Sequence, residues 1–139
     1  LTDAAPRAID TSVAIPLLVI SHPRHAAIKD WARNRELSLS GHAHAETYAV
    51  LTRLPGDAQV DPNDAVLLME DNFAPPLVLS ARAARAVHRE LALGGVSGGA
   101  TYDGLVALAA REHHATLATR DARARSTYEV LRVPVELLP

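Results

Sequence analysis

The stretch TLATRDARA, residues 116–124, opens with a four-residue β-type run, reaches an aspartate two residues later and continues as a helical pattern. RAIDTSV, residues 7–13, repeats that form: a short strand, an aspartate, then small hydroxyl residues leading into a helix. Short β-type runs alternating with longer helical ones predict a parallel sheet covered by helices. In such an open sheet, ligands bind beyond the carboxyl ends of the strands. Asp10 and Asp121 therefore share one crevice if their strands are neighbours.

The same alternation runs along the rest of the chain. Strands are expected at Arg7–Asp10, Leu37–Ser40, Leu77–Leu79, Thr116–Thr119 and Val133–Leu137. Helices are expected at Ser12–Ile20, Pro23–Arg33, Ala43–Leu54, Pro62–Phe73, Ala81–Leu93, Tyr102–His114 and Ala122–Leu131. Asp61 can cap the fourth helix, with Pro62 in its first turn. Ser80 and Thr101 are the expected caps of the fifth and sixth. The glycine loop GGVSGGA lacks the Gly-Lys-Ser/Thr ending of a P-loop and the spacing of a dinucleotide fingerprint, so it reads as an approach to the sixth helix.

A chain of 139 residues is expected to form a single domain over residues 1–139. It has no cysteine, which removes disulfides, zinc–thiolate sites and thiol nucleophiles together. No apolar run approaches the roughly 20 residues of a bilayer span, and no signal-peptide pattern opens the chain. The expectation is a cytoplasmic protein with no membrane partner. Formal charge is only −2, too small for a general nucleic-acid-attracting field. Lys29 is the sole lysine among 14 basic residues. A GC-rich genome explains that bias most simply, although arginine also suits phosphate recognition. Met69 is the only methionine, so Leu1 reads as a non-AUG start or a trimmed end.

Two more acids fall toward the same crevice. Asp103 belongs to the first turn of the sixth helix, and Glu46 to the helix after the second strand. Each acid alone has a plainer explanation: Asp10 and Asp121 as helix caps, Asp103 as a complement to a helix dipole, Glu46 as a solvated residue or a partner of Arg53. Together they repel one another unless a cation is present. Hard divalent ions such as Mg²⁺ and Mn²⁺ take oxygen donors from a few carboxylates plus water and phosphate, and such ions hydrolyse phosphodiesters without a covalent nucleophile.

The ordered set IDTSV (Ile9–Val13), AETYAVLTRLP (Ala45–Pro55), GVSGGATYDGLVALAA (Gly95–Ala110) and TLATRDARA (Thr116–Ala124) resembles the PIN-domain family. More narrowly, it is similar to the VapC-type toxins of bacterial toxin–antitoxin pairs, over nearly the whole chain. The resemblance implies a three-layer α/β/α sandwich with a short parallel sheet and a Mg²⁺-dependent endoribonuclease, with Mn²⁺ as a possible substitute. It puts the catalytic and metal-binding quartet on Asp10, Glu46, Asp103 and Asp121, with Thr119 and Ser12 in support. It also implies an RNA substrate, a VapB-like antitoxin and a homodimer. The alternative is a catalytically silent PIN-like protein that binds antitoxin or RNA. The sequence departs from the family in three places. Pro6 precedes a short first strand, Arg123 stands where some relatives carry a further acid, and His42 and His44 replace residues more often apolar or small.

His42 and His44 straddle a strand-to-helix turn, and positions two apart on a helix point in different directions. A zinc site would need further ligands at recognisable spacing. The expectation is that Glu46 works while the histidines flank it. Arg120, Arg123, Arg125 and His44 are the candidate RNA-contacting rim, with an ordinary solvated helix face as the plainer account of the arginines.

Overall fold

The computed structural model describes residues 7–139, so Leu1 and Pro6 lie outside the described residues. Its sheet contains β1 (Arg7–Ile9), β2 (Leu37–Leu39), β3 (Thr116–Thr119) and β4 (Val135–Leu137), all parallel, in the order β2-β1-β3-β4. Ala8, Ile9, Leu117 and Ala118 in the two central strands are fully buried. Apolar residues at successive positions, rather than alternating ones, are what a strand covered on both faces requires. The chain leaves β1 toward β2 and later returns to the other side of β1, so the strand order reverses there.

The helices are α1 (Thr11–Leu18), α2 (His25–Ala32), α3 (Ala43–Thr52), α4 (Pro62–Asn72), α5 (Ala81–Arg85), α6 (Val87–Leu93), α7 (Ala100–Glu112) and α8 (Ala122–Val130). A 3₁₀ turn covers Gly56–Ala58. They sort into two contact groups: α1 packs on α2, α3 and α4, while α7 packs on α6 and α8. Both groups reach β3, which is the α/β/α layering. Glu136 braces the sheet from β4, pairing with Arg7 at 2.5 Å and accepting from Trp31 Nε1 at 3.0 Å. No helix among the described residues is long and apolar enough to cross a membrane.

Three expectations are corrected. Leu77–Leu79 is not a strand; Leu77 makes only an isolated parallel bridge to Ser40. Ala74 and Leu77 donate to the Leu37 and Leu39 carbonyls at 2.9 Å each, but Pro75 and Pro76 between them have no N–H with which to extend the ladder. The helix expected over Ala81–Leu93 breaks at Ala86 (φ −101°, ψ 5°), where the Ala86 N–H bonds to Ala83 in a tight final turn. Thr101 caps nothing, because α7 already begins at Ala100. Asp61 and Ser80 do cap, accepting from the Asn63 and Ala83 amides at 3.1 Å each.

The turn from β2 into α3 is pressed against α7. Ser40 Oγ donates to the Val106 carbonyl at 2.8 Å inside the core. Gly41 has φ +55°, and a Cβ there would stand 2.5 Å from the Leu105 carbonyl oxygen. Left-handed backbone and close approach both demand glycine. Gly41→Ala is expected to cost about 2 kcal/mol or more, read as a lower urea midpoint with unchanged slope.

Candidate active site

The carboxyl ends of β1 and β3 lie side by side at the reversal point, with Asp10 directly after β1 and Asp121 two residues after β3. Each aspartate caps the helix behind it. Asp10 Oδ1 accepts from the Ser12 amide at 3.0 Å, and Asp121 Oδ1 accepts from the Arg123 and Ala124 amides at 2.9 and 3.3 Å. Both aspartates are therefore caps, and capping does not preclude the site reading. A carboxylate has two oxygens, and Asp121 Oδ2 has no protein partner among the described residues.

Asp10 is held far more tightly. Ser12 Oγ donates to its Oδ1 at 2.6 Å, while Thr119 Oγ1 and the Tyr128 hydroxyl donate to its Oδ2 at 2.5 and 2.8 Å. The two small hydroxyls also accept from the backbone after β3: Ser12 Oγ from the Arg120 amide at 2.8 Å, Thr119 Oγ1 from the Asp121 amide at 3.0 Å. Each hydroxyl thus passes a hydrogen bond from the β3 loop to the carboxylate of the β1 loop. These are the positions expected of Ser12 and Thr119. Tyr128 is the partner that sequence reasoning missed; its only signal was an aromatic residue seven positions after Asp121, on the face of α8 that turns inward.

Glu46 comes from the first turn of α3, where Thr11 Oγ1 donates to its Oε1 at 2.8 Å. Thr11 in turn accepts from the buried Thr47 hydroxyl at 3.2 Å. Arg53 makes no ion pair with it among the described residues. Asp103, in the first turn of α7, has no hydrogen-bond partner among the described residues. Asp10, Glu46, Asp103 and Asp121 all line one cleft of about 290 Å³. A cavity of about 380 Å³ beside α5 and α7 also contains acids, but there Glu90 pairs with Arg111 and Glu112 accepts from Ser80. The smaller cleft is the one that collects four acids, none with an ion-pair partner among the described residues.

Electrostatics mark the same place. Burial pushes the Asp103 carboxyl above its ordinary range, and the charges of Asp121, Asp10 and Glu46 push it further. Burial also raises Asp10, against the pull of its hydroxyl donors and the Ser12 amide. The Tyr128 phenol is raised by burial and by Asp10, so it stays protonated and donating. Oxygen donors only, in mutual repulsion, fit a hard divalent cation. Among the described residues, no three His, Asp or Glu side chains already stand close enough together to hold a metal ion. The four acids share the cleft without forming a ready-made chelate.

The rim is partly corrected. Arg120 lines the cleft, with Nε on the Pro139 carbonyl at 3.0 Å and Nη1 on the Ser12 carbonyl at 3.3 Å. Arg123 is exposed beside Asp121, and Arg125 pairs with Glu129 one turn along α8 at 3.4 Å. His44 is not at the cleft; it lines a groove with Met69, Phe73 and Pro75. Two residues earlier, just before α3, His42 is the histidine beside the acids. Its ring lies 5.0 Å from that of Tyr102, and its charge lowers the Asp103 carboxyl. His22, which has no sequence pattern, also lines the cleft.

Two outcomes follow from these contacts. Asp103 has a folded-state pKa above its unfolded value, so its stabilising protonated form is complete below about pH 4 and is lost as pH rises through the folded value. Asp103→Asn should therefore raise the melting temperature in EDTA at pH 7, with the gain vanishing toward pH 4. Tyr128→Phe removes a donor from a buried carboxylate and should cost about 1–2 kcal/mol in urea denaturation.

Comparison with known proteins agrees with this architecture. A PIN domain family model matches residues 8–130. Ribonuclease VapC27 of Mycobacterium tuberculosis is 58% identical over 130 residues, covering 94% of this chain and 95% of the relative. Ribonuclease VapC40 of the same species is 44% identical, with 93% and 96% covered. In fold, the chain is similar to a protein in the crystal structure of VapBC2 from Rickettsia felis bound to a promoter DNA fragment, with a TM-score of 0.67, 15% identity, and 96% and 99% covered. It also matches FitAcB from Neisseria gonorrhoeae, with a TM-score of 0.60, 22% identity, and 92% and 94% covered. With the matched model spanning most of its length and a VapC ribonuclease sharing more than half its residues, this chain belongs to the PIN-domain family, among the VapC proteins.

Proposed function

We propose that this protein is a divalent-metal-dependent endoribonuclease, the toxin of a VapBC-type pair. The observation that carries the reading is the convergence of Asp10, Glu46, Asp103 and Asp121 on one cleft at the carboxyl ends of parallel strands. The close VapC relatives, named as ribonucleases, support RNA as substrate. Asp10, Asp103 and Asp121 would hold Mg²⁺, or Mn²⁺ in its place, directly or through water. The ion supplies a hard Lewis acid that neutralises charge on a phosphodiester and makes water acidic enough to attack at neutral pH.

The chain's own residues do the positioning. Ser12, Thr119 and Tyr128 fix Asp10 by four hydrogen bonds together with the Ser12 amide. Thr11 holds one oxygen of Glu46, leaving Oε2 without a protein partner among the described residues. That oxygen can orient an attacking water and accept its proton. Asp121 keeps Oδ2 available in the same way while its other oxygen caps α8. Attack by water on phosphorus, with departure of the 3′-oxygen, leaves a 5′-phosphate and a 3′-hydroxyl.

A VapB-like antitoxin is the proposed partner, consistent with the VapBC and FitAB complexes among the structural neighbours. Partly exposed Tyr48, Val66 and Leu67 give α3 and α4 an apolar surface on which such a partner can rest. A homodimer is the proposed assembly, as the resemblance implies.

Asp103→Asn is the cleanest knockout, because Asp103 supports no hydrogen bond of the fold while Asp10 supports four. It should lower RNA cleavage by at least about a hundredfold, and EDTA should do the same to the unaltered protein. End-sequencing should find 5′-phosphates and no cyclic phosphates. Full activity of the variant in Mg²⁺ would remove Asp103 from the site.

A further inference from the structure

As a ribonuclease site, the cleft that collects four carboxylates has to admit a polyanion. A cation offsets part of the repulsion, but the backbone of a nucleic acid also needs donors. Only His22 and Arg120 bring side-chain nitrogen to the described lining of the cleft. Arg120 is already committed in two directions, by Nε to Pro139 and by Nη1 to Ser12. His22 is committed in one.

That one commitment decides which proton the ring carries. The Arg24 backbone N–H donates to His22 Nδ1 at 3.0 Å. A backbone amide can only donate, so Nδ1 is the bare nitrogen and Nε2 carries the hydrogen. Protonating the ring would break this bond. Burial and the neighbouring charges of Arg120, Arg24 and His25 further disfavour a second proton. The ring is therefore a neutral donor through Nε2–H, and this group has no protein partner among the described residues.

Its position is fixed by the turn between α1 and α2. The His22 amide bonds to the Val19 carbonyl at 3.0 Å, and the His25 amide to the His22 carbonyl at 2.9 Å. His25 Nδ1 lies 2.8 Å from the Pro16 carbonyl, pinning the start of α2 onto α1. An imidazole held by its own backbone loses little freedom on meeting a ligand. With the Nδ1 lone pair taken up by the Arg24 amide and Nε2 protonated, the ring offers a hydrogen to an oxyanion and no free lone pair to a cation, the reverse of the four acids in the same cleft.

We infer that His22, with Arg120 beside it, forms a phosphate subsite next to the carboxylates, donating Nε2–H to a non-bridging oxygen of the RNA backbone. The inference rests on the ribonuclease reading for the identity of the polyanion. His22 is a substrate-contacting residue here, and holds no metal.

Inorganic phosphate is a probe that requires no knowledge of the RNA target. Its binding is followed by ³¹P resonance broadening, with Mn²⁺ and separately in EDTA, alongside Mn²⁺ affinity by calorimetry. The proteins compared are the unaltered chain, His22→Phe and His22→Gln, whose amide nitrogen replaces Nε2–H. Phosphate affinity should fall about tenfold in His22→Phe and return to within about threefold in His22→Gln, with Mn²⁺ affinity and melting temperature unchanged. Equal phosphate binding in all three, equal loss in both variants, or a parallel fall in Mn²⁺ affinity would overturn the subsite. Mn²⁺ uptake by a chain that binds no phosphate would overturn it and leave the metal site standing. Failure to take up Mn²⁺ would sink the proposed function, while the EDTA titration still decides His22. A chain that binds neither ion refutes both.

Discussion

Two hydroxyl groups join the loops that end the central strands. Ser12 and Thr119 each accept a backbone N–H from the β3 side and donate to Asp10 on the β1 side. Strand pairing alone would bring Asp10 and Asp121 near each other, but a three-residue strand such as β1 leaves considerable play at its end. The relays remove that play, because moving Asp10 relative to Asp121 would break several bonds together. Tyr128 adds a third brace from α8, and as the bulkiest fully buried side chain it also couples Asp10 to the packing of that helix. Core and site are thus fastened at the same atoms.

A carboxylate buried this deeply is tolerated only because it is hydrogen-bonded. Asp103 has no such relief. It carries burial and three neighbouring charges with no donor of its own among the described residues, an arrangement that costs stability in the free chain. The imbalance is informative. A fold that needed Asp103 merely as a helix-dipole complement could have set it on an exposed turn, where the dipole is satisfied without desolvation. Its place between Asp10, Glu46 and Asp121 is the configuration that a hard cation would reverse from repulsive to attractive.

Much of this was legible in the chain. Strand, aspartate and helix recur at Asp10 and Asp121, and parallel topology then brings them together once their strands are neighbours, as β1 and β3 are. The caps at Asp61 and Ser80 follow from local chemistry and needed no tertiary information. The errors arose where local patterns meet tertiary constraints. Leu77 to Leu79 is β-rich in composition, yet the two prolines before it withhold ladder donors. Thr101 has a capping side chain, but the backbone enters α7 one residue earlier. Of the two histidines in the turn before Glu46, His42 approaches the acids and His44 does not, a matter of helical phase that sequence alone does not fix. The roles of Tyr128, Thr11 and His22 were not legible for a shared reason. Each matters through a partner far away in sequence or through a single backbone bond, and neither leaves a spacing to read.

Helix capping and ion binding are usually offered as competing explanations for an acid at a strand end, yet in this cleft the cap leaves a second oxygen available to an ion. A cap fixes one carboxylate oxygen against backbone amides, which sets the rotation of the group and aims the other oxygen. Asp121 has this arrangement, with Oδ1 on α8 and Oδ2 unpartnered. Glu46 reaches the same end through a threonine, with Oε1 on Thr11 and Oε2 unpartnered. His22 is the nitrogen counterpart: Nδ1 occupied by a backbone amide, Nε2–H unpartnered. In each case one polar atom is taken up by a protein donor so that its twin is presented at low entropic cost. For Asp121 and His22 the donor is a backbone amide two or three residues along, while for Glu46 it is Thr11 from another element, so the chemistry of the cleft is set by short-range capping together with the fold that assembles it.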